Sequence, residues 1–127
     1  MIEVTCALIE REGLILAARR SASMHLPLKW EFPGGKLRDG EEETACLIRE
    51  VREELSLEVS PLRRLSPSEH DYGDKHIRLI PYVCVYISGQ VVLHEHAEAR
   101  WFRAEGLKEL DWCAADIPVL KEYLRSL

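Results

Sequence analysis

Three glutamates, Glu50, Glu53 and Glu54, crowd a stretch whose apolar spacing is helical. At about 100° per residue, Glu54 lies near 40° and Glu53 near 300° from Glu50, so the carboxylates share roughly a 100° arc. Leu47, Ile48, Val51 and Leu55 occupy roughly 60° to 160° of the same wheel. One flank of this helix is therefore expected to pack inward beside a flank of negative charge. Like charges at this spacing weaken an isolated helix by about 0.2–0.5 kcal/mol per pair. A divalent cation would remove that penalty, and donors that are all carboxylate oxygen suit Mg²⁺. The competing account is a solvated acidic face, salt-bridged by Arg49 and Arg52.

The order of the surrounding residues favours chemistry. Five residues separate Gly35 from Glu41, seven more separate Glu41 from Arg49-Glu50, and Val51-Arg52-Glu53-Glu54-Leu55-Ser56-Leu57 follows. This resembles the Nudix box, G-x5-E-x7-R-E-U-x-E-E-x-G-U, where U is a bulky apolar residue. Ser56 stands where the pattern has its last glycine. A glycine there would be the left-handed residue closing the helix, where a side chain costs up to about 1 kcal/mol. Ser56 is expected to weaken that cap or change its geometry without touching a ligand position.

The resemblance runs on outside the box. The opening IEVTCALIEREGLILAARR, the WEFPGGK segment, Glu95 six residues before Trp101, and the A-A-D-I-P turn all look like the MutT branch. It implies an α/β fold, a Nudix αβα sandwich with a mixed β-sheet between helices. It also implies hydrolysis of a nucleoside triphosphate to the monophosphate and pyrophosphate, as in sanitation of the nucleotide pool. The A-A-D-I-P turn is most similar to the CTP pyrophosphohydrolase type, which also accepts oxidised or otherwise modified nucleotides. An 8-oxo-dGTP sanitising hydrolase is the alternative within enzymes. A Nudix domain that binds nucleotide without turnover is the alternative outside them, and the intact acidic set speaks against it.

The resemblance also suggests roles. Glu53 and Glu54 would hold Mg²⁺, with Mn²⁺ a possible substitute, and Glu50 would be a ligand or proton acceptor. The carbonyl of Gly35 would join them, a position where a missing Cβ permits close approach. Arg49 would orient the carboxylates by charge-assisted hydrogen bonds, and Glu41 would steady the loop or the helix start. Glu95 is either a ligand or base, or an exposed loop acid between His94 and His96. That His-Glu-His triplet lacks the helical H-E-x-x-H spacing, so zinc is rejected. Arg20 and Lys36 match basic positions near the phosphates, or are surface charges. Phe32 either walls the base pocket or is core. Asp116 would accept from the exocyclic amine of cytosine, or cap the last helix with Pro118 in its first turn.

Composition agrees with one ordinary globular domain over residues 1–127. No apolar run is as long as a membrane span, and Met1-Ile2-Glu3 opens into strand-like sequence rather than a signal peptide. Cys6, Cys46, Cys84 and Cys113 are widely spaced and read as reduced, buried thiols of a cytoplasmic protein. A net charge of −5 argues against a nucleic-acid polymer as partner. A small triphosphate bridged by a cation remains compatible with it, and monomer and homodimer are both open. Along the chain, residues 2–9 and 14–19 read as a hairpin, 30–32 as a short strand ended by Pro33-Gly34-Gly35, and 42–55 as the acidic helix. Strands are expected at 57–66, 77–88 and 99–103, with a helical turn near Leu107 and a last helix over 117–127.

Overall fold

The computed structural model describes residues 1–127. Eight strands form one mixed sheet: β1 (Ile2–Arg11), β2 (Leu14–Arg19), β3 (Trp30–Glu31), β4 (Gly34–Lys36), β5 (Glu58–Arg64), β6 (Ser68–Asp71), β7 (His76–Ser88) and β8 (Glu98–Phe102). Three helices accompany them: α1 (Glu43–Leu55), α2 (Ala104–Leu107) and α3 (Asp116–Arg125). The central order is β3-β2-β1-β7-β5, with β4 on β1, β6 on β7 and β8 on β2. Only the β1–β7 pair is parallel.

Alternation along β1 builds two cores, because successive side chains of a strand point to opposite faces. Cys6 and Leu8 pack with Val119, Leu120 and Tyr123 of α3. Ala7 and Ile9 pack with Leu47, Val51 and Leu55 of α1. Helices therefore cover both faces of the sheet, as expected for an αβα sandwich. Each aliphatic side chain buried this fully contributes about 1.5–3 kcal/mol.

The β1–β2 hairpin pairs only at its closed end, Glu10 with Ile15 and Arg11 with Leu14. Beyond that the strands part: β4 takes the edge of β1 at Val4–Cys6, and β3 takes the edge of β2 at Ala18 and Arg19. This split opens the sheet and is bridged by Phe32 and Pro33, whose carbonyl accepts from the Ala7 N–H at 2.7 Å.

Two elements differ from the sequence expectation. Gly34–Lys36 is a strand and not merely a turn, because a glycine can lie flat against β1 where a Cβ at Gly34 would sit 1.9 Å from the Thr5 carbonyl oxygen. The polar segment Ser68–Asp71 carries no apolar alternation, yet pairs with Leu79–His76 as an edge strand.

Candidate active site

The acids of α1 meet different surroundings on neighbouring turns. Leu47, Val51 and Leu55 anchor the helix to the sheet, which turns Glu54 inward and leaves Glu53 outward. Glu54 is mostly buried and accepts a hydrogen bond from the Gly34 N–H at 3.0 Å. Burial pushes its carboxyl up to about 9; the nearby charges of Glu31, Glu50 and Glu95 add to the rise, and the Gly34 N–H opposes it. Glu50 lies against Gly35 so closely that a Cβ there would come 2.2 Å from the Glu50 carboxyl carbon. Any side chain at this position would displace the Glu50 carboxylate from its resting place.

Arg49 organises the outer flank. It grips Glu41 through two bonds (Nε to Oε2, 2.8 Å; Nη2 to Oε1, 2.9 Å), and its Nη1 reaches Glu50 at 2.7 Å and Glu53 at 3.3 Å. Hydrogen bonds from Arg49 hold the Glu41 carboxyl down at about 2, helped by the Arg38 N–H. Arg49 also reaches the Lys36 carbonyl of β4 at 3.4 Å, so it ties strand, loop and helix together, the disposition expected of an orienting residue.

Across the split stands a residue that sequence reasoning passed over. Glu31, on β3, bonds Arg20 Nη1 at 2.8 Å through one oxygen and His96 Nε2 at 2.8 Å through the other. The His96 side chain is 0% exposed, and its Nδ1 has no partner. A carboxylate accepts, so Nε2 carries the proton of this pair. The WEF run could have signalled Glu31 as a charged residue inside an otherwise apolar strand; His96 stood out only within the His-Glu-His triplet, and nothing local marked it as the partner of Glu31. Glu95, next to it, is exposed.

Gly34, Gly35, Lys36, Glu54, Glu31 and Arg20 line a cleft of 190 Å³ together with Cys113, Ala115, Asp116 and Tyr72. Met24, Leu26, Ile77 and Leu79 add apolar wall to it. Asp116 does not cap its helix; its Oδ2 accepts from the Phe32 N–H at 2.9 Å across the sheet. Burial raises its carboxyl well above the ordinary range, and the charge of Glu31 adds to the rise. Phe32 itself does not line the cleft. Its ring packs 4.7 Å from Trp112 in the core, and only its backbone reaches the site. Lys36 is exposed at the rim and makes no ion pair, whereas Arg20 is spent on Glu31.

The donors Glu50, Glu53, Glu54, Glu95 and the Gly35 carbonyl are all oxygen, which fits a hard divalent cation. Glu54, buried among three like charges, lacks a positive partner, and a cation would supply one. No three acidic or imidazole side chains converge on one point, since Glu50 rests on Arg49 and Glu54 on Gly34.

A mixed sheet between helices, opened at a split lined by acids and glycines, defines an α/β protein with a cleft for a charged ligand. The NUDIX domain family matches residues 1–123, and the chain belongs to that family. It is 34% identical over 124 residues to the CTP pyrophosphohydrolase of Escherichia coli K12, covering 98% of this chain and 92% of that protein. It is 28% identical to the 8-oxo-dGTP diphosphatase of the same organism, covering 98% and 97%. Among solved structures, the E. coli ORF135 protein superimposes with a TM-score of 0.87 at 34% identity, covering 98% of this chain and 89% of that one.

Proposed function

We propose that this chain is a Mg²⁺-dependent nucleoside triphosphate pyrophosphohydrolase of the MutT-like type, acting on cytidine or modified nucleotides. The observation that carries the reading is Glu54, a buried acid held on the Gly34 N–H beside Gly35 and Glu50, in the cleft that Asp116 also lines. A cation bound by Glu50, Glu53, Glu54 and the Gly35 carbonyl would screen the polyphosphate and lower the pKa of a bound water. Arg49 holds Glu50 and Glu53 in place, and Lys36 offers charge to the phosphates. Glu95, exposed and near enough for its charge to be felt at Glu54, is a further acceptor for a proton or metal.

Base selection falls to Asp116. With Oδ2 committed to the Phe32 N–H, its other oxygen is left for a ligand. Ionised, that oxygen accepts from the cytosine amine; protonated, it donates to a carbonyl such as O6 of an oxidised guanine. Burial favours the protonated form, which is the specific support for 8-oxo-dGTP as a second reading, and the relative that acts on it points the same way. Pyrophosphate release from normal and oxidised triphosphates with Mg²⁺, then with Mn²⁺, tests both. CTP or a modified nucleotide should give the highest kcat/KM, and no turnover across the panel would refute the proposal.

No helix is long and apolar enough to cross a membrane. All four cysteines are free and buried, which supports a reducing, cytoplasmic setting. The chain's partner in this reading is a small nucleotide rather than a nucleic-acid polymer.

A further inference from the structure

The loop between β7 and β8 carries Glu95 with a histidine on each side, and the two histidines do different things. His94 Nε2 and Ser56 Oγ are 2.9 Å apart, and the His94 N–H points to the Glu54 carbonyl at 3.5 Å. Two residues earlier, the Val92 N–H bonds the Leu55 carbonyl at 3.0 Å, so this side of the loop is tied to the end of α1. On the other side, buried His96 bonds Glu31 at 2.8 Å, and the Ala97 N–H bonds the Arg19 carbonyl at 2.9 Å. Glu95 is exposed between these two fastenings, close enough for its charge to be felt at Glu54.

Ser56 is the residue that departs from the glycine of the Nudix box. It adopts the left-handed conformation that glycine would take, with φ 59° and ψ 32°, and its N–H bonds the Arg52 carbonyl as a helix-closing residue should. The side chain therefore brings backbone strain to the cap, and its hydroxyl is occupied with His94. We propose that His94 and His96 are positioning residues that hold the Glu95 loop from both sides, and that Ser56 is retained as the outer fastening. This rests on reading Glu95 as part of the catalytic set.

The test uses the full chain, with kcat and KM measured on the preferred triphosphate with Mg²⁺. Hydrogen exchange over residues 93–97 and Tm are measured without metal or nucleotide. Ser56→Gly should raise Tm by relieving the cap, yet speed exchange in the loop and lower kcat roughly threefold at constant KM, the scale of one exposed hydrogen bond. His94→Ala should match its kinetic effect, and combining the two should add nothing. His96→Leu should cost about tenfold to a hundredfold in kcat, the scale of a group misplaced by about 1 Å. His96→Gln, which keeps an N–H able to reach Glu31, should recover most of it. In a Glu95→Gln background, none of these changes should lower kcat further.

A Ser56→Gly variant with higher Tm and unchanged kcat and exchange would overturn the proposal. So would a His96→Leu loss that persists in Glu95→Gln, since His96 would then act through Glu31 alone. Wild-type turnover by Glu95→Gln would instead remove Glu95 from the catalytic set. The fastenings would then lose their catalytic purpose even if exchange still quickened. If His96→Leu does not fold, Ser56→Gly and His94→Ala decide the matter.

Discussion

The two flanks of α1 carry the same residue type and treat it in opposite ways. On the outer flank, Glu50 and Glu53 touch Arg49, as does Glu41 from the loop before the helix, and the Glu41 carboxyl is held down at about 2. On the inner flank, Glu54 faces Glu31 with only an N–H for a partner, and its carboxyl rises to about 9. The outer acids are compensated within the protein. The inner one is balanced only by a proton or by something that binds. A cluster of acids is thus not one site: its function lies where the protein withholds the counter-charge.

The sharpest break of this contrast is Glu54→Gln. The amide oxygen keeps the bond from Gly34, but the charge is lost. Expected is a fall in kcat of about 10²–10⁴-fold, the usual scale for losing a charged catalytic group. Tm without cation at pH 8 should rise, because Glu54 is ionised there in the unfolded chain but largely protonated when buried, and the neutral amide avoids that proton uptake. Near-wild-type turnover would make the inner flank only structural.

Next in size is Asp116→Asn, in the lining of the same cleft. The Asn carbonyl takes over the Phe32 N–H, so the amide NH₂ must face the ligand. One donor–acceptor exchange in a buried site is worth about 1–3 kcal/mol, roughly tenfold to a hundredfold in discrimination. The kcat/KM for CTP should fall and that for 8-oxo-dGTP should rise. Equal losses on both substrates would remove Asp116 from base selection.

Arg49→Lys probes the outer flank. A lysine keeps the charge but cannot grip Glu41 with two bonds and reach Glu50 as well. A drop of about tenfold in kcat with little change in KM is expected, since charge-assisted bonds of this kind are worth about 1.5–3 kcal/mol and only part is lost. Unchanged kcat would show that Glu50 needs no orienting.

The smallest effect is in the pH dependence of stability, where the flanks should pull oppositely. Glu54 has a folded value of about 9 against an ordinary 4.5, so its contribution is whole below 4.5 and is lost as pH rises toward 9. Glu41 has a folded value of about 2, so its contribution is present above 4.5 and is lost as pH falls toward 2. Glu41→Gln should flatten the acid limb of Tm against pH, and Glu54→Gln the alkaline limb. Mg²⁺ should raise Tm most at high pH, where it replaces the missing proton by mass action. A Mg²⁺ shift independent of pH would disconnect Glu54 from the metal.

Much of this was legible along the chain because it is periodic or local. Leu47, Val51 and Leu55 at helical spacing predict which face of α1 is buried, and the structure buries them. An apolar-rich run marked β1, alternation marked β7, and the box marked the family. Ser68–Asp71 escaped because a polar edge strand has no pattern of its own, and Gly34–Lys36 because glycine in a strand looks like a turn. Asp116 could be read as a helix cap as well as a base contact because its neighbours in sequence are a helix start, whereas its hydrogen-bond partner is 84 positions away.

The sequence by itself determined the helix, the order of acids upon it, and membership of the family, since these depend on residue type at short, regular spacing. It could not assign an environment to each acid. That Glu54 is raised and Glu41 lowered, that Glu31 joins Arg20 to His96, and that Phe32 lends its backbone and not its ring, were decided only when distant strands met. Desolvation and counter-charge are properties of the surroundings, and a carboxylate acquires them only from what the fold places within a few ångströms of it.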